Sequence, residues 1–443
     1  MAAGRMHEVE LVEGPGREGP DDDAGPPRAA RTRALRVLRR WWPLAAGVVA
    51  AVVVAQVVAD RRHDTAVEHR RETDGVLLTT PSTPLTAVRW ESPDASTLAL
   101  EGTRTPDGLV AGVVVPAAVG APVFVAVDPA TGSEQWRVAV GDPSPGSGSG
   151  GCTLVVEPSP TAWCLLYQAA SRDGDAVVLA PRVVEVGLEE RAVRGARDLP
   201  PDAGVGFAGS VLVVATPGAS GASGTSGTEV QATDLASGED RWAVALDALP
   251  PDGSGVGVGV VGGHVLLPGP TGTWVIDPST GAAQEVEGTP LAVQPDDGTA
   301  GDVLLVRRED GTANGVLAAV DASSGETLWQ RAGRGDPSAQ LVLLDGVLYG
   351  ADGSRMWAVD AVTGAQRWST ATGPGVGELV TDGRSVLRME RDAANGATVL
   401  AAYDLGDGRS AWAAPLPDGI AAVWARAGTL LGQGDDGGVF TLG

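Results

Sequence analysis

The stretch Val127–Trp136, VDPATGSEQW, places a carboxylate, a hydroxyl, a glycine and an indole within ten residues. A carboxylate next to a hydroxyl can do acid–base or cation chemistry, which makes this stretch the first candidate site. The constellation recurs, however. Asp, Gly four residues on and Trp eight on appear as Asp128-Gly132-Trp136, Asp234-Gly238-Trp242, Asp321-Gly325-Trp329, Asp360-Gly364-Trp368 and Asp404-Gly408-Trp412. Asp277-Gly281 keeps the first two members and has Glu285 at the third. From Asp234 onward, successive aspartates lie 43, 44, 39 and 44 residues apart. The 106-residue interval before them reads as two periods with extra loop, holding a degenerate copy at Val183–Val193 with Glu185 in place of Asp.

The repetition assigns this chemistry to a turn. The Asp carboxylate accepts N–H groups of the next residues, Pro129 and Pro278 preset φ, and Gly takes the left-handed position. Trp, four residues into the outgoing strand, is large and flat enough to fill a wedge between repeats.

The remaining chemically capable residues are few. All 32 basic residues are arginines, and the lack of lysine excludes a Walker A loop, a Schiff-base enzyme and a Ser-x-x-Lys acyl enzyme. Of the histidines, His7, His63, His69 and His264, only His264 falls in the repeat region, so a histidine metal cluster is not available there. Gly257, Gly259 and Gly262 fit G-x-G-x-x-G, but the following GHVLLPGP reads as a strand, whereas pyrophosphate binding needs a helix. The Asp-rich QPDDGTAGD and GQGDDGG lack the spacing of a calcium loop and read as turns. Cys152 and Cys164 flank CTLVVEPSPTAWC, a hairpin turning at residues 157–160, which sets them nearly opposite and predicts a disulfide outside the cytoplasm.

A period of 40 to 45 residues built of short strands is the signature of propeller blades. Within residues 337–370, PSAQLVLLDG, VLYGADG, RMWAVD and AQRWST read as four antiparallel strands, which puts the motif on the third-to-fourth turn. Seven motif copies leave fragments at both ends. Three strands follow Trp412, and PLTAVRWE (residues 84–91) supplies a fourth carrying Trp90. Together they predict an eighth blade that closes the ring and removes its open edge. The expected fold is all-β: an eight-bladed propeller of four-stranded antiparallel blades over residues 84–443, with one N-terminal transmembrane helix.

That helix is expected at 41–59, WWPLAAGVVAAVVVAQVVA, a charge-free stretch long enough to span hydrocarbon. Six arginines between residues 28 and 40 place its amino end in the cytoplasm and the propeller outside. Residues 1–40 read as a disordered tail and 60–83 as a charged stalk and linker reaching up to roughly 80 Å. Cleavage after Ala59 is the competing reading. Residues 1–40 hold eight arginines and seven acids, leaving 24 arginines against 49 acids in the rest. Such a body repels nucleic acid and anionic headgroups, so no nucleic-acid partner is expected.

The chain resembles the PQQ-type (pyrroloquinoline-quinone-type) propeller repeat family, whose repeat runs apolar strand, Asp-x-x-Thr-Gly, Trp. The likeness covers residues 84–443 and is strongest in the five complete copies. That family holds quinoprotein alcohol dehydrogenases, membrane-anchored sensor domains and non-enzymatic eight-bladed propellers such as the lipoprotein of the outer-membrane β-barrel assembly machinery. The dehydrogenases hold their quinone beside adjacent bonded cysteines, with calcium and acidic ligands. Cys152 and Cys164 are twelve apart, so no cofactor residue carries over and no cofactor is expected.

The resemblance implies the fold and not the chemistry; with no cofactor residue to carry over, the favoured reading is a non-catalytic scaffold for a protein or cell-envelope ligand, and a quinone-dependent dehydrogenase or carbohydrate-active enzyme is the alternative. With the motif turns all on one rim, the opposite rim carries the long loops 116–122, 141–151, 216–229, 248–255, 307–315 and 390–397. Long loops on a rigid scaffold are the expected place for recognition.

Overall fold

The computed structural model describes residues 64–443 apart from 117–119, 144–147, 173–175, 219–226, 247–256, 310–314, 333–340 and 393–395, together with residues 48, 49, 51–58 and 61. The chain divides into two units, Met1–Thr65 and Ala66–Gly443. In the first, residues 48, 49 and 51–58 are helical with exposed side chains, and the rest of 41–59 lies outside the described residues. Among the described residues no helix is long and apolar enough to cross a membrane.

The second unit is a β-propeller of eight sheets. Each uses four strands running from inner to outer. Blade 1 holds Thr103–Arg104, Val110–Val114, Val123–Val127 and Glu134–Ala139; blade 2 holds Gly148–Val155, Thr161–Arg172, Ala176–Gly187 and Ala192–Asp198. Blade 3 comprises Gly204–Ala208, Val211–Pro217, Thr228–Asp234 and Asp240–Leu246, and blade 4 Gly259–Val261, His264–Pro268, Thr273–Ile276 and Ala283–Val286. Blade 5 runs Thr289–Pro290, Val303–Arg308, Val316–Asp321 and Thr327–Ala332. Blade 6 runs Leu341–Leu344, Val347–Asp352, Arg355–Asp360 and Gln366–Ala371, and blade 7 Gly375–Thr381, Ser385–Arg391, Thr398–Asp404 and Ser410–Pro415.

Blade 8 joins the two ends of the unit. Ile420–Arg426, Thr429–Gly434 and Val439–Leu442 are its first three strands, and Ala87–Arg89 is its outer strand, with Ala87 opposite Leu442 and Arg89 opposite Phe440. Thr86 and Gly443 exchange backbone hydrogen bonds beyond that pairing. The closure read from residues 84–91 is therefore the observed one.

Apolar side chains on both faces of the blades form eight buried clusters, one per blade junction. Phe124, Trp136, Leu166 and Val184 fill the junction of blades 1 and 2. Val342, Met356, Val386 and Tyr403 fill that of blades 6 and 7. At the seam between blades 8 and 1, Leu98, Val110, Trp424 and Leu431 pack together. Leu98 belongs to a short helix, Ala95–Glu101, that fills the connection into blade 1 and that the sequence pattern did not reveal; Trp424 donates its indole N–H to the Ala99 carbonyl at 2.8 Å.

Alternation of strand direction puts the first-to-second and third-to-fourth turns on one rim, here the motif rim. Two segments cross its centre. Residues 66–80, expected as part of a stalk and linker, pack on the propeller: Val67, Val76 and Leu77 are each 1% exposed. Val76 bridges Thr381, Leu77 donates to the Thr381 carbonyl and Leu78 to that of Gly428. Arg70 reaches Asp345 and the Gly383 carbonyl at 2.8 Å each, and Thr80 donates to Asp382 at 2.6 Å. The second crossing is in blade 5, whose chain leaves its inner strand and runs parallel to the inner strand of blade 6, Val293 beside Leu341.

A chain lacking residues 84–91 opens the edge of blade 8 and should melt several degrees lower by circular dichroism. An unchanged melt would remove the closure.

Candidate functional site

The recurrent motif lies where its spacing put it. In each copy the aspartate ends or directly follows the third strand, and its carboxylate accepts backbone N–H groups of the turn: Ala130 to Asp128 at 2.7 Å, Ser237 to Asp234 at 2.8 Å, Ser279 to Asp277 at 2.6 Å. Ser324 to Asp321 at 2.8 Å, Thr363 to Asp360 at 3.0 Å and Gly406 to Asp404 at 2.8 Å complete the set. The glycine N–H returns to the aspartate carbonyl at 2.7 to 2.9 Å in all six turns, and every motif glycine has φ between +66° and +76°.

The tryptophans act between blades. Trp242 lies over Gly281, Trp329 over Gly364 and Trp368 over Gly408, so close that an added Cβ would sit 2.5 to 2.7 Å from the indole. Each indole also donates its N–H to the carbonyl one residue after the next blade's aspartate: Pro278 at 2.8 Å, Ala361 at 2.8 Å and Leu405 at 2.9 Å. At the ring seam Trp90 covers Gly132 and donates to Thr441 at 2.8 Å, and Thr441 donates on to Pro129 at 2.6 Å. Where Glu285 replaces tryptophan, Gln284 covers Gly325 instead, its amide nitrogen 3.3 Å from the Cβ position.

The degenerate copy in blade 2 needs correction. Leu188 donates to the Pro160 carbonyl as Leu235 does to Ser210 and Leu405 to Arg384. Gly187, not Glu185, therefore stands at the aspartate position. Arg191, with φ +53°, takes the glycine position, and Gly195 the tryptophan position. Glu185 sits inside the strand, opposite Gly195.

Four of these turns hold their carboxylates ionised. The Ser237 N–H, then Arg241, brings Asp234 down to about 2. Hydroxyl and N–H donors in the turn lower Asp277 and Asp321, led by the hydroxyls of Ser279 and Ser323, and Asp360 falls chiefly through the Thr363 N–H. A carboxylate held this way is a turn cap, not a base poised near neutral pH.

The other sequence candidates resolve similarly. Cys152 and Cys164 are direct cross-strand partners and are bonded, with Cα atoms 4.1 Å apart. His264 begins the second strand of blade 4. Gly262 and Gly263 form the tight turn before it, so a strand rather than a helix follows the G-x-G-x-x-G stretch. Among the described residues no group of three or more His, Cys, Asp or Glu is placed to hold a metal ion. The centres of all six long loops on the opposite rim lie outside the described residues.

Two features escaped the sequence reading. Where the two crossing segments meet at the axis they border a cavity of about 320 Å³, lined by Asp74, Gln294, Asp296, Glu378 and Arg426 among small and apolar residues. Burial pushes the Asp296 carboxyl up. The second is a buried polar set between blades 6 and 7. Arg388 donates to Thr372 and the Gly353 carbonyl at 2.9 and 2.6 Å, and Tyr403 donates to Glu390 at 2.8 Å. Burial lowers Arg388, and burial together with the Glu390 hydrogen bond raises Tyr403. Each partner satisfies another, which marks an interblade clamp.

Ring closure, the blade count and the Asp-Gly-Trp turn together define an eight-bladed propeller of PQQ-like repeats. Residues 226–423 match the family model described as outer membrane protein assembly factor BamB. That match, over somewhat less than half of the chain, supports a relation of this propeller to the PQQ-like β-propellers that include BamB. No protein of curated function matches it. Similar solved structures include BamB from Moraxella catarrhalis, 16% identical, covering 82% of this chain and 99% of that one with a TM-score of 0.44. Sqt1 of Saccharomyces cerevisiae is 9% identical, covering 83% and 98%, with a TM-score of 0.46. A europium-containing methanol dehydrogenase is 11% identical, covering 83% and 95%, with a TM-score of 0.38. Likeness at these levels assigns no activity.

If the indole-on-glycine contact holds the blades together, Gly364→Ala forces methyl and indole apart at positive φ and should cost about 2–4 kcal/mol. Gly238→Ala, with nothing within 4 Å of its Cβ position, should cost only about 1 kcal/mol of backbone strain. Equal losses in denaturant melts would refute the latch. Because Asp234, Asp277, Asp321 and Asp360 titrate lower folded than unfolded, their stabilisation is complete above about pH 4 and is lost as pH falls towards 2. The raised Asp296 works in the opposite sense. Asp234→Asn should therefore flatten the fall in melting temperature between pH 4 and 2; a curve parallel to the wild type would contradict the assignment.

Proposed function

We propose that the protein is a membrane-anchored, extracytoplasmic propeller that binds a protein or cell-envelope ligand through its long-loop rim and catalyses nothing. The carrying observation is the docking of residues 66–80 across the centre of the motif rim, fixed by Val67, Val76, Leu77 and Arg70. The chain enters the propeller on that rim, so the opposite rim, where the long loops emerge, is the one left to a partner. The charge-free stretch 41–59 and the arginines before it support the anchor and its orientation. The residues that first suggested chemistry support the non-catalytic reading, because every turn aspartate accepts N–H groups of its own turn and the indoles of Trp242, Trp329 and Trp368 donate to backbone carbonyls of the next blade.

In-cell crosslinking of the full-length protein, with photoreactive residues placed in turn on the two rims, tests this reading. Crosslinks to one protein from residues 307–315 and 390–397, with none from the motif turns, are expected. The converse pattern would overturn the rim assignment. Titration with pyrroloquinoline quinone and calcium should leave absorbance and dye reduction unchanged; turnover would instead favour the dehydrogenase reading.

A further inference from the structure

Four blade junctions show what an indole does in this protein: Trp90, Trp242, Trp329 and Trp368 each cover the turn glycine of the following blade. Two further junctions fill the same place differently. Gln284 covers Gly325. Arg191 stands where the glycine would be and holds its guanidinium carbon 6.0 Å from the Trp136 ring centre.

The junction of blades 2 and 3 has the receiving half alone. Its turn is complete: Asp234 accepts from Ser237, Gly238 returns its N–H to Asp234 at 2.8 Å, and Gly238 has φ +73°. The donating half is missing. Glu185 pairs with Gly195 just as Ala232 pairs with Trp242 and Ala319 with Trp329, with the same register shift one residue later. Gly195 therefore occupies the indole position without a side chain. Nothing lies within 4 Å of the Cβ position of Gly238, and Gly238 is the one motif glycine that is exposed. Among the described residues no donor reaches the Leu235 carbonyl, the counterpart of the carbonyls of Pro278, Ala361 and Leu405 that accept indole N–H groups. The outer strand of blade 2 beside it is exposed almost throughout, Val193 at 39%.

We propose that this notch receives a tryptophan side chain presented by a partner protein. The occupant is set by the protein's own templates: a flat ring to lie on Gly238 and one N–H aimed at the Leu235 carbonyl. Tryptophan meets both demands at low cost in side-chain entropy, as it does in interface anchors generally. The notch is distinct from the long-loop rim. The inference rests on reading the propeller as a protein-binding scaffold, but not on which rim serves that role.

The test uses the full-length protein and an octapeptide with a central tryptophan flanked by a diazirine residue. Crosslinks, mapped by mass spectrometry, should fall on residues 192–198 and 234–239 and weaken at least tenfold when the peptide tryptophan becomes alanine. Gly195→Trp supplies the indole in cis, and should raise the melting temperature and reduce crosslinking at least tenfold. Should Gly195→Trp fail to fold, Gly238→Arg, patterned on Arg191, should give the same loss. Crosslinks scattered over the surface, or unchanged in the variant that folds, would overturn the proposal. Loop-rim substitutions should leave the peptide crosslink intact, so failure of the rim assignment and failure of the notch are read separately.

Discussion

An indole laid on a glycine that has no side chain to keep it away is the contact around which this propeller is organised. Neither partner works alone. The glycine must take a left-handed φ to close its own turn, which already disfavours other residues, and the space freed by its missing Cβ is where the preceding blade inserts its ring. One residue type thus answers two constraints, one within a blade and one between blades. The indole N–H adds a directional bond that fixes the angular register of successive sheets, a feature that apolar packing, being non-directional, does not supply by itself.

Around these contacts the apolar core is divided. Eight clusters sit at eight junctions, so each blade is stabilised by two neighbours and none is buried alone. Such a ring is only as secure as its seam. Here the seam uses the same devices as the other junctions in altered form: Trp90 over Gly132, Thr441 relaying the hydrogen bond, and Leu98 of a short helix adding apolar contact. The two segments crossing the motif rim couple blades 5 to 8 further, since residues 66–80 bond to turns of blades 6, 7 and 8.

The ring was legible in the sequence because its organising contact has a fixed internal spacing, Asp to Gly to Trp, that survives in five copies and can be tracked in a sixth. The ends were legible because three strands without a fourth and a fourth without three complement each other. Blade 2 was misregistered: Glu185 resembles the missing aspartate chemically, whereas the backbone places Gly187 there, and only hydrogen bonds distinguish them. Residues 66–80 looked like a free stalk because Val67 stands beside a charged run and Val76–Leu78 is an apolar run of only three, too short to carry a period. The axial cavity depends on a parallel pairing of Val293 with Leu341, a contact between distant segments that leaves no local pattern.

Pairing Ala87–Arg89 with Val439–Leu442 has a consequence for biogenesis. The strand made first among those of the propeller has no partner until nearly all of the remaining chain has been synthesised. During that interval seven blades can form while the edge that will seal the ring stays open, and Trp90 waits with no strand beside it. Completion of the fold is thereby tied to synthesis of Val439–Leu442. A chain that stops before Val439 loses the strand that holds Ala87–Arg89 and carries an open ring.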